Sequence, residues 1–274
     1  MKLTYTNYCD YFAKKCPKCN GAKKILIHHG EDDTVGTWNA CGCQFIASTK
    51  WRYDQIPLPS HLKGKTWEDF RGIVVENGKE VDLACSFTEA KEKALEYCFG
   101  SGDPSVIKDR VNSLVVQDRT NNVVISGGQR TGKTLLVALI LKEVVYASVL
   151  KRINLAFKYV KNSELLDKSR WDNNKQVDHE FLADLAELDF LVLDGINDPA
   201  GHTTPPDLIS LDGLFSARHL SGAPTIFVCS DTFKLKLFSE NKYERDAIIK
   251  KFGEEYYSSL TNSENVFIDL QREG

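Results

Sequence analysis

The chain has 274 residues, 42% of them apolar and 27% charged, a balance that can fill one large domain plus a small one. Lys and Arg number 35 against 38 Asp and Glu, so the formal charge of −3 excludes a chain coated in positive charge while leaving room for local basic patches. No apolar run nears the roughly 20 residues of a membrane-crossing helix. Met1-Lys2-Leu3-Thr4-Tyr5 also lacks the apolar core of an export signal, so a cytosolic protein without a membrane partner is expected.

Along the chain, residues 1–50 come first as a small domain. Cys16-Pro17-Lys18-Cys19 and Cys41-Gly42-Cys43 flank an apolar run, Ile25-Leu26-Ile27, a polar turn over Gly30–Asp33 and a return run through Trp38. Two tight cysteine pairs joined by a hairpin can present four thiolates to a tetrahedral ion, so Cys16, Cys19, Cys41 and Cys43 read as a zinc ribbon with Zn²⁺ as a structural cofactor. His28 and His29 are read as solvent-facing strand residues, because four thiolates already close the site. Cys9, Cys85, Cys98 and Cys229 are isolated and form no disulfide framework. Residues 51–115 follow as a linker and helical segment, opened by a rigid connector, Gln55-Ile56-Pro57-Leu58-Pro59.

Residues 116–274 alternate apolar strands with amphipathic helices, the pattern of a parallel α/β sheet covered on both faces. The strands are predicted at Val123–Ser126, Leu155–Val160, Phe190–Asp194, Thr225–Ser230 and Val266–Leu270, with helices near 133–150, 162–170, 178–188, 207–220 and 241–252.

Between the first strand and the first helix lies Gly127-Gly128-Gln129-Arg130-Thr131-Gly132-Lys133-Thr134, a match to G-x-x-x-x-G-K-[ST] in the strand–loop–helix context that gives it meaning. Glycines let backbone N–H groups curl around a phosphate, and the helix N-terminus adds partial positive charge. Lys133 is placed to reach the β- and γ-phosphates of ATP, and the Thr134 hydroxyl to bind Mg²⁺. Phe190-Leu191-Val192-Leu193-Asp194 reads as a buried strand delivering a carboxylate to the same Mg²⁺. The next residue is Gly195, where rapid ATPases carry a water-orienting acid, and Asp198 is a weak substitute. Nucleotide binding is therefore expected, with slow hydrolysis.

The order of these features resembles the DnaC/DnaI-type replicative helicase loaders of bacteria and their phages, which are AAA+ ATPases. Cys16-Pro17-Lys18-Cys19-Asn20-Gly21 and Cys41-Gly42-Cys43 look like the zinc module of the DnaI-like branch. Ile56-Pro57, Leu62 and Thr66-Trp67-Glu68-Asp69-Phe70 are similar to the family connector. Leu214-Phe215-Ser216-Ala217-Arg218 and Pro224-Thr225-Ile226 resemble the helix and strand that lead to the family's sensor residue. The resemblance implies an AAA+ P-loop fold with a five-stranded parallel sheet and no C-terminal lid. It also implies an ATP-dependent oligomer that loads a hexameric DnaB-type helicase onto single-stranded DNA. The sensor falls on Ser230 or Asp231, and the arginine finger has Arg245 or Lys251 as its nearest match. The family commonly has glycine at the position of Arg130 and an acid at that of Gly195, which points to ATP as a conformational switch. Candidate phosphate contacts to DNA are Lys234, Lys236, Lys250 and Lys251 after the sensor strand, and Lys14, Lys15, Lys18, Lys23 and Lys24 around the zinc module. Two other readings stay open: a transposition-helper ATPase working with a transposase on duplex DNA, and a nucleotide-binding scaffold without useful turnover.

Overall fold

The computed structural model of the protein describes residues 24–27, 37–41, 43–70, 73–76, 79–82, 84–99, 121–151, 154–169, 176–197 and 205–270. Cys16, Cys19, His28, His29, Lys14, Lys15, Lys18, Lys23 and Asp198 lie outside these residues. Within them, β1 (Lys24–Ile27) pairs antiparallel with β2 (Thr37–Ala40), with Leu26 opposite Trp38 in register. Cys41 is buried beyond β2, and Cys43 opens helix α1 (Cys43–Gln55), which runs through residue 50. A short helix, α2 (Ser60–Lys63), a second antiparallel hairpin of β3 (Ile73–Glu76) and β4 (Lys79–Asp82), and helix α3 (Ala84–Phe99) follow.

The rest is the parallel α/β unit. Its strands are β5 (Val123–Gly127), β6 (Phe157–Lys161), β7 (Phe190–Ile196), β8 (Thr225–Ser230) and β9 (Val266–Leu270). They form one five-stranded sheet in the order β6-β7-β8-β5-β9, every neighbouring pair parallel. The connecting helices are α4 (Lys133–Lys151), α5 (Asn162–Ser169), α6 (His179–Ala186), α7 (Pro205–Ser221), α8 (Asp231–Leu237), α9 (Lys242–Phe252) and α10 (Glu254–Thr261). This is a P-loop sheet in which β5, the strand that feeds the glycine loop, sits between β8 and β9.

Local chemistry accounts for departures from the predicted bounds. The strand expected from Leu155 starts at Phe157, because the backbone N–H of Ala156 donates instead to the Asp189 carboxylate at 2.7 Å. Helix α8 was not predicted; the Ser230 side chain caps it by accepting from Phe233 N–H at 3.3 Å. Gly253 separates α9 from α10.

Alternation along the strands divides the core in two. Val123, Ile125, Tyr159, Val192, Ile226, Val228 and Ile268 face α4, while Val124, Val160, Leu191, Leu193 and Phe227 face α5 to α10. Helix α4 is apolar nearly all round, with every residue from Leu136 to Val149 buried, so the sheet alone cannot cover it. Its outer side is roofed by the stretch read from sequence as a connector. Tyr53, Ile56, Leu58, Leu62, Trp67 and Phe70 are all buried in the same core cluster. Their polar atoms are tied to α4 as well. Tyr53 Oη donates to the Ala138 carbonyl at 3.0 Å, Trp67 Nε1 to Glu143 Oε1 at 3.1 Å, and Lys142 Nζ to the Lys65 carbonyl at 2.6 Å. The Ile-Pro step therefore belongs to the packed body of the α/β unit.

Candidate functional site

The C-terminal ends of β5, β7, β8 and β9 converge on the glycine loop. Register places Gly127 level with Ser230 of β8 and Leu270 of β9. That leaves no room for a side chain: a Cβ on Gly127 would lie 2.6 Å from the Leu270 carbonyl oxygen and 2.7 Å from Thr131 Oγ1. The loop is held from within, as the Thr131 hydroxyl donates to the Gly128 carbonyl at 3.0 Å. Arg130 is exposed and has φ +61°, the left-handed region that L side chains enter at a cost. The loop thus keeps the backbone turn for which a glycine is the usual residue, with arginine in it.

Lys133 and Thr134 open α4. The Lys133 ammonium donates to the carbonyls of Gly127, at 2.7 Å, and Gly128. Burial lowers the Lys133 pKa, and the Asp231 and Asp194 carboxylates oppose that shift. Across the loop, Asp194 ends the apolar run of β7, and its Oδ2 accepts from Thr134 Oγ1 at 3.2 Å. The same oxygen accepts from the Tyr159 hydroxyl of β6. Burial first, and the adjoining carboxylate second, push the Tyr159 pKa far above the ordinary tyrosine value, so the hydroxyl stays a donor. A hydroxyl and a carboxylate set face to face beside a lysine are hard oxygen donors, which suit Mg²⁺. Thr134 and Asp194 are the residues that would hold it.

Gly195 sits in a β-bulge, where the β7–β8 register shifts between Asp194 and Ile196. Its φ is +83°, it is exposed, and nothing lies within 4 Å of the place its Cβ would occupy. Position 195 thus combines a left-handed backbone with the lack of a side chain.

Of the two sensor candidates, Ser230 is engaged as the α8 cap and lies 3.1 Å from Thr232 Oγ1. Asp231 faces the loop: its Oδ2 would be 3.5 Å from a Cβ on Gly128. Burial raises the Asp231 pKa, and Lys133 pulls it back. Beside it, Asp269 of β9 accepts from the Ser126 hydroxyl and pairs with Lys234 of α8. Arg245 and Lys251 lie on α9, which packs against α7, α8 and α10, and Arg245 is exposed. Tyr159 and Asp269 are additions that no motif announced; only their neighbours across the sheet reveal them. Of the four expected zinc ligands, Cys16 and Cys19 lie outside the described residues, which hold Cys41 and Cys43. Among the described residues, no cluster of three or more His, Cys, Asp or Glu could hold a metal ion. No described helix is long and apolar enough to cross a membrane.

No family model matches the sequence, and no curated protein matches it. Among solved structures, the chain is similar to DnaI, with 17% identity and a TM-score of 0.46 over 78% of this chain and 92% of that one. It is also similar to a provisionally assigned primosome component from Streptococcus pyogenes serotype M3, with 16% identity and a TM-score of 0.46 over 83% and 96% of the two chains. A third is the DnaC helicase loader, with 16% identity and a TM-score of 0.37 over 65% and 98%.

Proposed function

We propose that this chain is a nucleotide-switched loader that places a hexameric DnaB-type replicative helicase on single-stranded DNA. The observation that carries the nucleotide half of this reading is the arrangement of Lys133, Thr134 and Asp194 around a glycine loop at the sheet's C-terminal edge. The loader half rests on the sequence order of cysteine pairs, Ile-Pro segment, phosphate loop and sensor strand.

In this reading the backbone N–H groups of Gly127–Gly132 grip the nucleotide phosphates, and Lys133 exchanges its carbonyl partners for phosphate oxygens. Thr134 and Asp194 hold Mg²⁺, which when bound neutralises phosphate charge. Asp231, facing the loop, serves as sensor, and Arg245, exposed on α9, is the finger offered to a neighbouring copy in an ATP-dependent oligomer. The bulge at Gly195 presents no carboxylate to a water molecule, so hydrolysis is slow and ATP acts by stabilising one arrangement of domains. Cys16, Cys19, Cys41 and Cys43 bind Zn²⁺ in the module that grips the helicase.

The test mixes the protein with the replicative helicase of the same replication system, with and without Mg²⁺-ATP, and measures complex mass by light scattering. A defined complex that Lys133→Ala makes insensitive to nucleotide, and that a Cys16→Ser/Cys19→Ser protein cannot form, supports the loader. A folded, zinc-loaded protein that forms no complex in any nucleotide state overturns it. Gly195 favours a second reading, a nucleotide-binding scaffold; ATP turnover equal to that of Lys133→Ala would select it.

A further inference from the structure

We propose that Tyr159 is a positioning residue of the nucleotide–Mg²⁺ site: its hydroxyl fixes the Asp194 carboxylate in place against the Thr134 hydroxyl. This deepens the nucleotide half of the function proposed above and rests on it.

Sheet geometry makes the contact possible. Strands β6 and β7 are parallel, with Tyr159 level with Val192 and Lys161 level with Asp194. Residues two apart on a strand share a face, so Asp194 is the diagonal neighbour of Tyr159, within reach only of a long side chain. The tyrosine ring is fixed because it is buried in the α4-side core with Val192 and Phe190. Only its hydroxyl emerges at the site, and it donates to Asp194 Oδ2. Thr134 Oγ1 donates to that same oxygen at 3.2 Å. Two hydroxyls from different elements, one anchored in β6 and one in α4, thus converge on one carboxylate oxygen and set its direction. The next residue, Gly195, lies in the bulge with open space around it and gives Asp194 no side-chain support. Without Tyr159, rotation about the Asp194 side-chain bonds has a single hydroxyl to oppose it. A carboxylate oriented by an outer partner binds metal more tightly than one free to turn, by roughly 10-fold or more.

The test is Tyr159→Phe in the full chain, which keeps the ring and removes the hydroxyl. Affinity for a fluorescent ATP analogue is measured across a Mg²⁺ titration and again in excess chelator, with the thermal midpoint recorded in chelator. The expected result is a half-saturating Mg²⁺ concentration about 10-fold higher, with chelator-state nucleotide affinity within about twofold of the parent. An unchanged Mg²⁺ midpoint overturns the proposal. So does an equal loss of affinity with and without Mg²⁺, which would mark a purely structural hydroxyl. If the parent protein binds the analogue with no Mg²⁺ dependence, the nucleotide reading and this inference fall together. If the parent depends on Mg²⁺ and the variant matches it, this inference alone falls.

Discussion

The two ends of the parallel sheet hold a buried arginine and a half-buried lysine in opposite ways. At the end where strands begin, Arg218 of α7 is about 2% exposed, and its guanidinium is spent on neutral acceptors. It donates to the Leu185 and Leu188 carbonyls at 2.8 and 2.9 Å, to the Pro224 carbonyl at 2.6 Å and to Thr225 Oγ1 at 3.0 Å. These bonds tie the end of α6 and the entries to β7 and β8 to one side chain. At the end where strands finish, Lys133 has two loop carbonyls and two carboxylates, Asp194 and Asp231, acting on it from across the site. Arg218 is a finished structural joint. Lys133 is held in partial satisfaction, with partners it can exchange.

The largest effect expected is at the finished end. Arg218→Leu strands several buried carbonyls at once and should cost about 3–5 kcal/mol in urea unfolding, without changing ATP affinity of the folded fraction. A loss below about 1 kcal/mol would erase the contrast. Lys133→Met should do the reverse. ATP affinity falls by at least about 100-fold, while stability moves by no more than about 1 kcal/mol, because burial already disfavours the lysine's charge in the folded state. Arg130→Gly relieves the left-handed backbone at φ +61° and should raise stability by up to about 1 kcal/mol, partly offset by the freer unfolded chain. The thermal midpoint without nucleotide reads it.

The smallest effect sharpens the electrostatics. The folded-state pKa of Asp231 is raised, so its ionised form is disfavoured in the fold, and stability falls as pH rises through that raised value. Asp231→Asn should therefore be slightly more stable than the parent at pH 7. The gap should close as pH drops toward the ordinary aspartate value of 3.8. A gap that widens on acidification would reverse the assignment.

The α/β half was largely legible in the sequence because its signals are local. Thr225–Ser230 and Val266–Leu270 match their predicted bounds, since apolar β-branched runs between turn residues have few other homes. The phosphate loop was legible because one short segment carries strand, turn and helix start together. What was not legible depends on cross-strand or long-range partners. Tyr159 looks like any core aromatic until register sets it diagonal to Asp194. Residues 51–115 read in sequence as a linker and helical segment opened by the connector Gln55–Pro59, although helix α4, lacking a polar face, already required a third layer over it. The sequence announces that need and does not say which segment meets it. Gly195 is a further case: the substitution is visible, but the bulge that accompanies it is a property of two strands.

That third layer also fixes an order of events during synthesis. Trp67 finds its partner Glu143 at a separation of 76 residues, and Tyr53 finds the Ala138 carbonyl at 85. The covering segment therefore leaves the ribosome well before the helix it covers. Its apolar side chains wait through that interval, and the closure of this long loop is a late, entropically costly step. Nascent chains arrested before α4 emerges should bind holdase chaperones through Ile56–Phe70, and release them once residue 151 has cleared the tunnel.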